Sequence, residues 1–248
     1  MNADRPNTAV DEHDSAISGR LRDDILARSP LSRLPPPSFA VVRSISRLER
    51  YSRRHYVFEQ EQPTQCLLLV GRGRVRLDRT MGTEVVTLGH RGPGELLGET
   101  ALGGATLNTE SALAVDETAV VALPLAMLRR LMASDPALRA TLSAALVKSQ
   151  TDLERRVESL LLHGVEARLA LFLVEATRRW GEPAFGGGQL INATFTHAEI
   201  AVLIGSTRET VTLLLGKLRR EGVVDLQRRR VVVRDADALR KRAATYPG

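Results

Sequence analysis

A single cysteine, Cys66, stands in the whole chain. This excludes an internal disulfide, a cysteine-ligated zinc site and a four-cysteine iron–sulfur cluster held by one chain. Its place in the apolar run CLLLV marks it as a buried structural thiol. No apolar run approaches the roughly 20 residues needed to span a bilayer, and residues 1 to 30 lack the apolar stretch of a signal peptide. A soluble, cytoplasmic chain with no membrane partner is therefore expected. The five histidines, His13, His55, His90, His163 and His197, show no metal-ligand spacing, so no metal is expected. Nucleophile motifs, P-loops and paired metal ligands are missing too, and GRGRVRL is too short and strand-like to be a dinucleotide loop. An enzyme is the weakest reading, and no resident cofactor is expected.

What the chain does have is length, apolar content and an uneven charge. With 248 residues and 43% hydrophobic composition it can bury more than one core, and two domains are expected. Residues 164 to 248 hold 14 Lys or Arg against 9 Asp or Glu, so this third carries +5 of the formal +6. A basic excess confined to one region fits a polyanionic partner, although a solvated basic face gives the same count.

The organisation follows from glycine spacing. Residues 1 to 30 read as a flexible tail ending in a short helix at RLRDDILA. Residues 31 to 135 hold short apolar or alternating runs separated by glycines, which indicates a small antiparallel β-roll with flanking helices. In VGRGRVRL, Gly71 and Gly73 are expected to make a tight turn before Val75 and Leu77 alternate into the core. After Pro124 glycine disappears for almost forty residues. Asp135 followed by Pro136 signals the start of a long helix over residues 136 to 163. Its stripe of Leu142, Leu146, Ser149, Leu153, Arg156 and Leu160, with Val157 beside it, is longer than a small roll can cover. A symmetric dimer through this helix is expected.

Residues 164 to 248 carry the clearest motif. Thr196 and Glu199 are spaced as a capping box, Ile200, Ala201 and Ile204 give the helix an apolar face, and Gly205 supplies its C-cap. Ser206 and Glu209 are read as a second capping box opening the next helix, whose Val211, Leu214, Leu215 and Leu218 face inward. Two helices across so short a turn have helix-turn-helix geometry. Thr207, Arg208, Glu209, Thr212, Gly216, Lys217 and Arg219 are left on the outer side. Arginine at such a helix start can grip guanine, glutamate can accept from cytosine N4, and hydroxyls reach bases or phosphates. Glu209 is equally well explained as the third residue of its capping box. Arg228, Arg229 and Arg230 form the turn of a wing on a phosphate backbone or a solvated turn.

Together these parts resemble the cyclic-AMP receptor protein and FNR family of bacterial transcription regulators over residues 31 to 240. GSTRETVTLLLGKLRREGVV is similar to that family's recognition-helix motif. The resemblance implies an α+β fold: an N-terminal antiparallel β-roll like the cyclic-nucleotide-binding jelly roll, a long dimerisation helix and a C-terminal winged helix-turn-helix. It implies a homodimer on a roughly palindromic duplex operator, acting on RNA polymerase. Arg208 and Glu209 match the first two base-reading positions, and Ser206 and Thr210 match phosphate-contacting ones. The third base-reading position, frequently Arg, is Leu213, which is left to touch a thymine methyl or to pack inward.

The same comparison exposes a degenerate nucleotide pocket. Gly98 and Glu99 match the pair that holds the ribose, and Ser111 matches the hydroxyl beside the cyclic phosphate. Glu110 stands where the phosphate-binding arginine is expected, and a carboxylate there repels phosphate. Leu153 and Glu154 stand where the family offers Thr and Ser to adenine. Binding of DNA without cyclic nucleotide is therefore expected, the glycines and Glu99 serving the turns of the roll. The alternative is a regulatory module that docks a protein partner instead of DNA.

Overall fold

The computed structural model describes residues 12–227 and 230–244, with side chains from residue 17 onward. The chain divides into two compact units, one ending at Lys148 and the other beginning at Ser149.

In the first unit, helices α1 (Glu12–Ala27) and α2 (Pro36–Ile45) precede eight strands. These are β1 (Arg47–Tyr51), β2 (Tyr56–Phe58), β3 (Cys66–Arg72), β4 (Val75–Met81), β5 (Glu84–Arg91), β6 (Leu96–Leu97), β7 (Ser111–Ala114) and β8 (Thr118–Pro124). They pair antiparallel in two four-stranded sheets, ordered β1-β8-β3-β6 and β2-β7-β4-β5. Strands buried on both faces lose the alternation of apolar and polar residues. That is why Leu67 to Val70 reads as a continuous apolar run, while Cys66 at the start of the strand is only half-buried. Leu68 and Val70 pack into the roll's interior with Val75, Leu77, Leu97, Ala112 and Val120. Leu67 and Leu69 point the other way, into a second core with Leu26, Leu31, Val42 and Val121.

Helices α3 (Leu125–Ser134) and α4 (Pro136–Leu162) follow. Asp135 starts α4 as the sequence indicates, its Oδ1 accepting from the Leu138 backbone N–H at 3.0 Å. The first turns of α4 cover the roll itself: Leu138 and Leu142 are buried in its second core. Leu142, expected on the dimer stripe, is only 1% exposed and so is not available to a partner.

Two further expectations change. Residues 12 to 27 are a full helix, with Ile25 and Leu26 buried in the roll's second core, instead of a tail with a short helix at its end. Residues 1 to 11 lie outside the described residues. Gly73, with φ 77°, makes the expected turn. Gly71 does not: it lies inside β3, where a Cβ would meet the Ile25 side chain at 2.2 Å, so its role is to let α1 approach the sheet.

The second unit holds the rest of α4, then α5 (Val165–Trp180), β9 (Gly181–Pro183), β10 (Gln189–Ile191), α6 (His197–Ile204), α7 (Arg208–Arg220), β11 (Val224–Gln227), β12 (Arg230–Val233) and α8 (Ala236–Ala243). The strands form one antiparallel sheet, ordered β11-β12-β10-β9. A single core joins Leu169 and Leu173 of α5, Ile200 and Ile204 of α6, Val211, Leu215 and Leu218 of α7, and Leu239 of α8. Phe172, Phe195 and Trp180 pack at its edge, with ring centroids 5.2 and 5.4 Å apart.

Candidate functional site

Helix α6 begins with the capping box read from the sequence. The Thr196 hydroxyl accepts from the Glu199 N–H at 3.1 Å, and Glu199 accepts from the Thr196 N–H at 2.7 Å. The helix ends at Gly205, whose φ of 61° is the left-handed conformation that glycine adopts at least cost. The next N–H, from Ser206, turns back to the Ala201 carbonyl at 2.8 Å.

Ser206 therefore belongs to the end of α6, not to the start of α7. The second capping box is not formed. Thr207 is the N-cap of α7, its hydroxyl accepting from the Thr210 N–H at 3.2 Å. Glu209 falls in the first turn without a capping duty. Neither Arg208 nor Glu209 has a side-chain hydrogen bond or ion pair among the described residues. Both are exposed, as are Thr212 and Leu213, while Val211, Leu215 and Leu218 are buried beneath them.

The remaining candidates are placed unequally. The Thr212 hydroxyl donates to the Arg208 carbonyl at 2.9 Å and lies in hydrogen-bond contact with His197 Nδ1 at 2.8 Å, which ties α6 to α7. The Thr210 hydroxyl lies 2.9 Å from that of Thr207. Lys217, a candidate DNA contact, pairs its ammonium with both carboxylate oxygens of Glu166 on α5, at 3.0 and 2.9 Å. It braces α7 against α5. Arg230 is exposed at the start of β12. Arg228 and Arg229 lie outside the described residues.

One positioning residue has no signal in the sequence. The Arg168 guanidinium on α5 donates to the carbonyls of Ile204 at 2.6 Å, Gly205 at 3.0 Å and His163 at 2.6 Å. The last carbonyls of a helix have no partner within it. Arg168 supplies partners for those of α6 and holds the turn from which α7 departs.

In the roll, Gly98 has φ 73° and opens a short 3-10 segment, Glu99–Gly103. One Glu99 oxygen faces Arg91 at 3.4 Å; the other is buried without a hydrogen-bond partner among the described residues. Glu110 is 8% exposed. Its Oε2 accepts from Arg79 Nη2 at 3.4 Å and from the Thr109 hydroxyl, while Arg79 Nε donates to the Thr109 carbonyl at 3.1 Å. The Ser111 hydroxyl accepts from the Gln60 N–H at 2.9 Å. Arg79 is thus the cation beside Glu110, a partner 31 residues away that sequence spacing does not reveal.

Residues 48–135 match the cyclic nucleotide-binding domain family, and residues 167–242 match the Crp-like helix-turn-helix domain family. The chain is 35% identical over 202 residues to the cyclic AMP receptor protein of Thermus thermophilus, covering 77% of this chain and 88% of that one. It belongs to the CRP/FNR family of transcription regulators. A second family member, the cAMP-activated global transcriptional regulator of Mycobacterium tuberculosis, is 27% identical over 225 residues, or 89% of this chain and 99% of the relative. The crystal structure of a CRP-family transcriptional regulator from Thermus thermophilus superposes with a TM-score of 0.67 at 26% identity, covering 79% of this chain and 97% of that one.

CRP/FNR membership makes α6 and α7 the helix-turn-helix of a DNA-binding domain and the β1–β8 roll a cyclic-nucleotide-binding-type domain. Relatives of this kind are regulators, not enzymes. No described helix is long and apolar enough to cross a membrane. Along α4, Leu153 (60% exposed) and Val157 stand open to solvent; Leu160 is partly exposed, its Cδ2 lying over Gly205. Leu146, Ser149 and Arg156 are half-buried.

Proposed function

We propose that this regulator works as a homodimer, presents two copies of α7 to a roughly palindromic duplex operator, and does so without cyclic nucleotide, acting in turn on RNA polymerase. The observation that carries the nucleotide-independent reading is the buried Glu110 carboxylate with Arg79 as its partner. A cyclic phosphate entering beside Glu110 would meet like charge in a partly desolvated site, and Arg79 would have to leave one anion for another. The Mycobacterium tuberculosis relative is by name cAMP-activated; Glu110 is the reason to assign this chain differently.

The exposed apolar residues Leu153 and Val157, with Leu146, Ser149, Arg156 and Leu160 alongside, support pairing of α4 with its copy. Arg208 and Glu209, exposed at the start of α7, support base reading; Ser206, Thr207, Thr210 and Arg230 flank them for phosphate contact.

The test is enrichment from random duplexes by purified protein at stated salt, with and without cyclic AMP and cyclic GMP. A palindrome recovered equally in all arms is expected. Enrichment only with nucleotide overturns the reading of Glu110; no sequence preference, together with capture of a protein that survives nuclease treatment, overturns DNA binding itself. Arg208→Ala should weaken operator binding by about 1–3 kcal/mol and relax one base preference.

A further inference from the structure

We propose that Leu213 reads a thymine through its C5-methyl group, so that each operator half-site carries a thymine beneath the middle of α7. The inference rests on the DNA-reading assignment of α7 and adds a base to it.

Leu213 is 72% exposed, whereas the other apolar residues of this helix, Val211, Leu214, Leu215 and Leu218, pack wholly or partly into the core of the second unit. The core is complete without it, so inward packing is closed to Leu213. Its place on the helix is also specific. It follows Glu209 by four residues and Thr212 by one, which puts it one turn further along the face that carries the exposed Glu209. Gly216 comes next on that side, and the nearest atom that a Cβ there would meet is the flexible Arg220 Nη1 at 3.7 Å. Only the flexible end of Arg220 lies over the helix backbone beside Leu213, and another surface can displace it.

The chemistry then selects the base. A leucine offers neither donor nor acceptor. Among the groups exposed in the major groove, thymine alone presents an apolar one, the C5-methyl; the others are hydrogen-bond donors and acceptors. Placed over guanine, adenine or cytosine, Leu213 would strip water from polar atoms and return nothing. Over thymine it buries a methyl group and part of its own exposed surface.

The experiment uses the full-length protein and the operator recovered by enrichment, each thymine being replaced singly, in both half-sites, by deoxyuridine. That change removes the methyl and keeps every hydrogen-bonding group. One position should lose about fourfold in affinity per half-site, the value of one buried methylene-sized group. Leu213→Ala should make that position insensitive while the other positions keep their wild-type response. Alanine is the better helix former, so α7 is retained. At the same position 5-methylcytosine should bind better than cytosine to the wild-type protein, and equally to Leu213→Ala. If no thymine position loses its methyl sensitivity in Leu213→Ala, the proposal is wrong although DNA binding stands. Failure to recover any operator would instead remove the DNA reading beneath it.

Discussion

Arg79 and Glu110 are joined at 3.4 Å across two strands' worth of sequence, the carboxylate buried and the guanidinium partly exposed. The two are unequal in what they leave behind when removed. Arg79→Ala leaves a buried carboxylate with only the Thr109 hydroxyl, at a cost of about 1–2 kcal/mol, the lower part of the range because Arg79 is partly solvated. Glu110→Gln keeps the shape and an acceptor and should cost less. Urea unfolding of both variants checks the order; equal and negligible effects would mean that the pair is incidental.

The start of α7 makes a sharp prediction because the two candidate caps are neighbours. Thr207→Ala should destabilise the second unit by about 1 kcal/mol, while Ser206→Ala should be close to neutral. The reverse order in thermal unfolding would restore the cap to Ser206.

Acid should loosen the second unit in a defined window. Burial of Glu175 would raise its pKa, but hydrogen bonds from Arg178 and Arg179 outweigh this and hold it at about 2. Asp225 is likewise lowered, by the Leu226 backbone N–H and then by Gln227. A carboxylate with a depressed folded pKa binds fewer protons folded than unfolded, so stability rises with pH. The contribution of Glu175 is complete above its ordinary value of 4.5 and is lost as pH falls toward about 2. Trp180, the one tryptophan of the chain, sits in this unit and reports its unfolding. Urea midpoints followed by its fluorescence should fall below pH about 4.5, and Glu175→Gln should flatten that fall.

Local spacing made much of this legible in the sequence. Thr196 and Glu199 cap α6 as their three-residue separation indicates, and Asp135 starts α4. The second cap sits one residue later than the spacing indicates, because Ser206 and Thr207 are both good N-caps. The choice between them is made by the backbone: once Gly205 turns left-handed, the Ser206 N–H is used on Ala201 and only Thr207 remains. Interactions between distant residues were not legible at all. Arg168 meets Ile204 across 36 residues, Lys217 meets Glu166 across 51, and Gly71 makes way for Ile25. The α4 stripe was half legible: periodicity marks Leu142 and Leu153 alike, but one is buried against its own roll and the other is exposed.

Nucleotide independence is decided by a titration of the enriched operator duplex with full-length protein, at one salt concentration, with and without saturating cyclic AMP. With Glu110 already paired with Arg79, the two curves should superimpose. Affinity that rises with the nucleotide would contradict this and show that phosphate displaces the internal carboxylate from Arg79 or finds another cation.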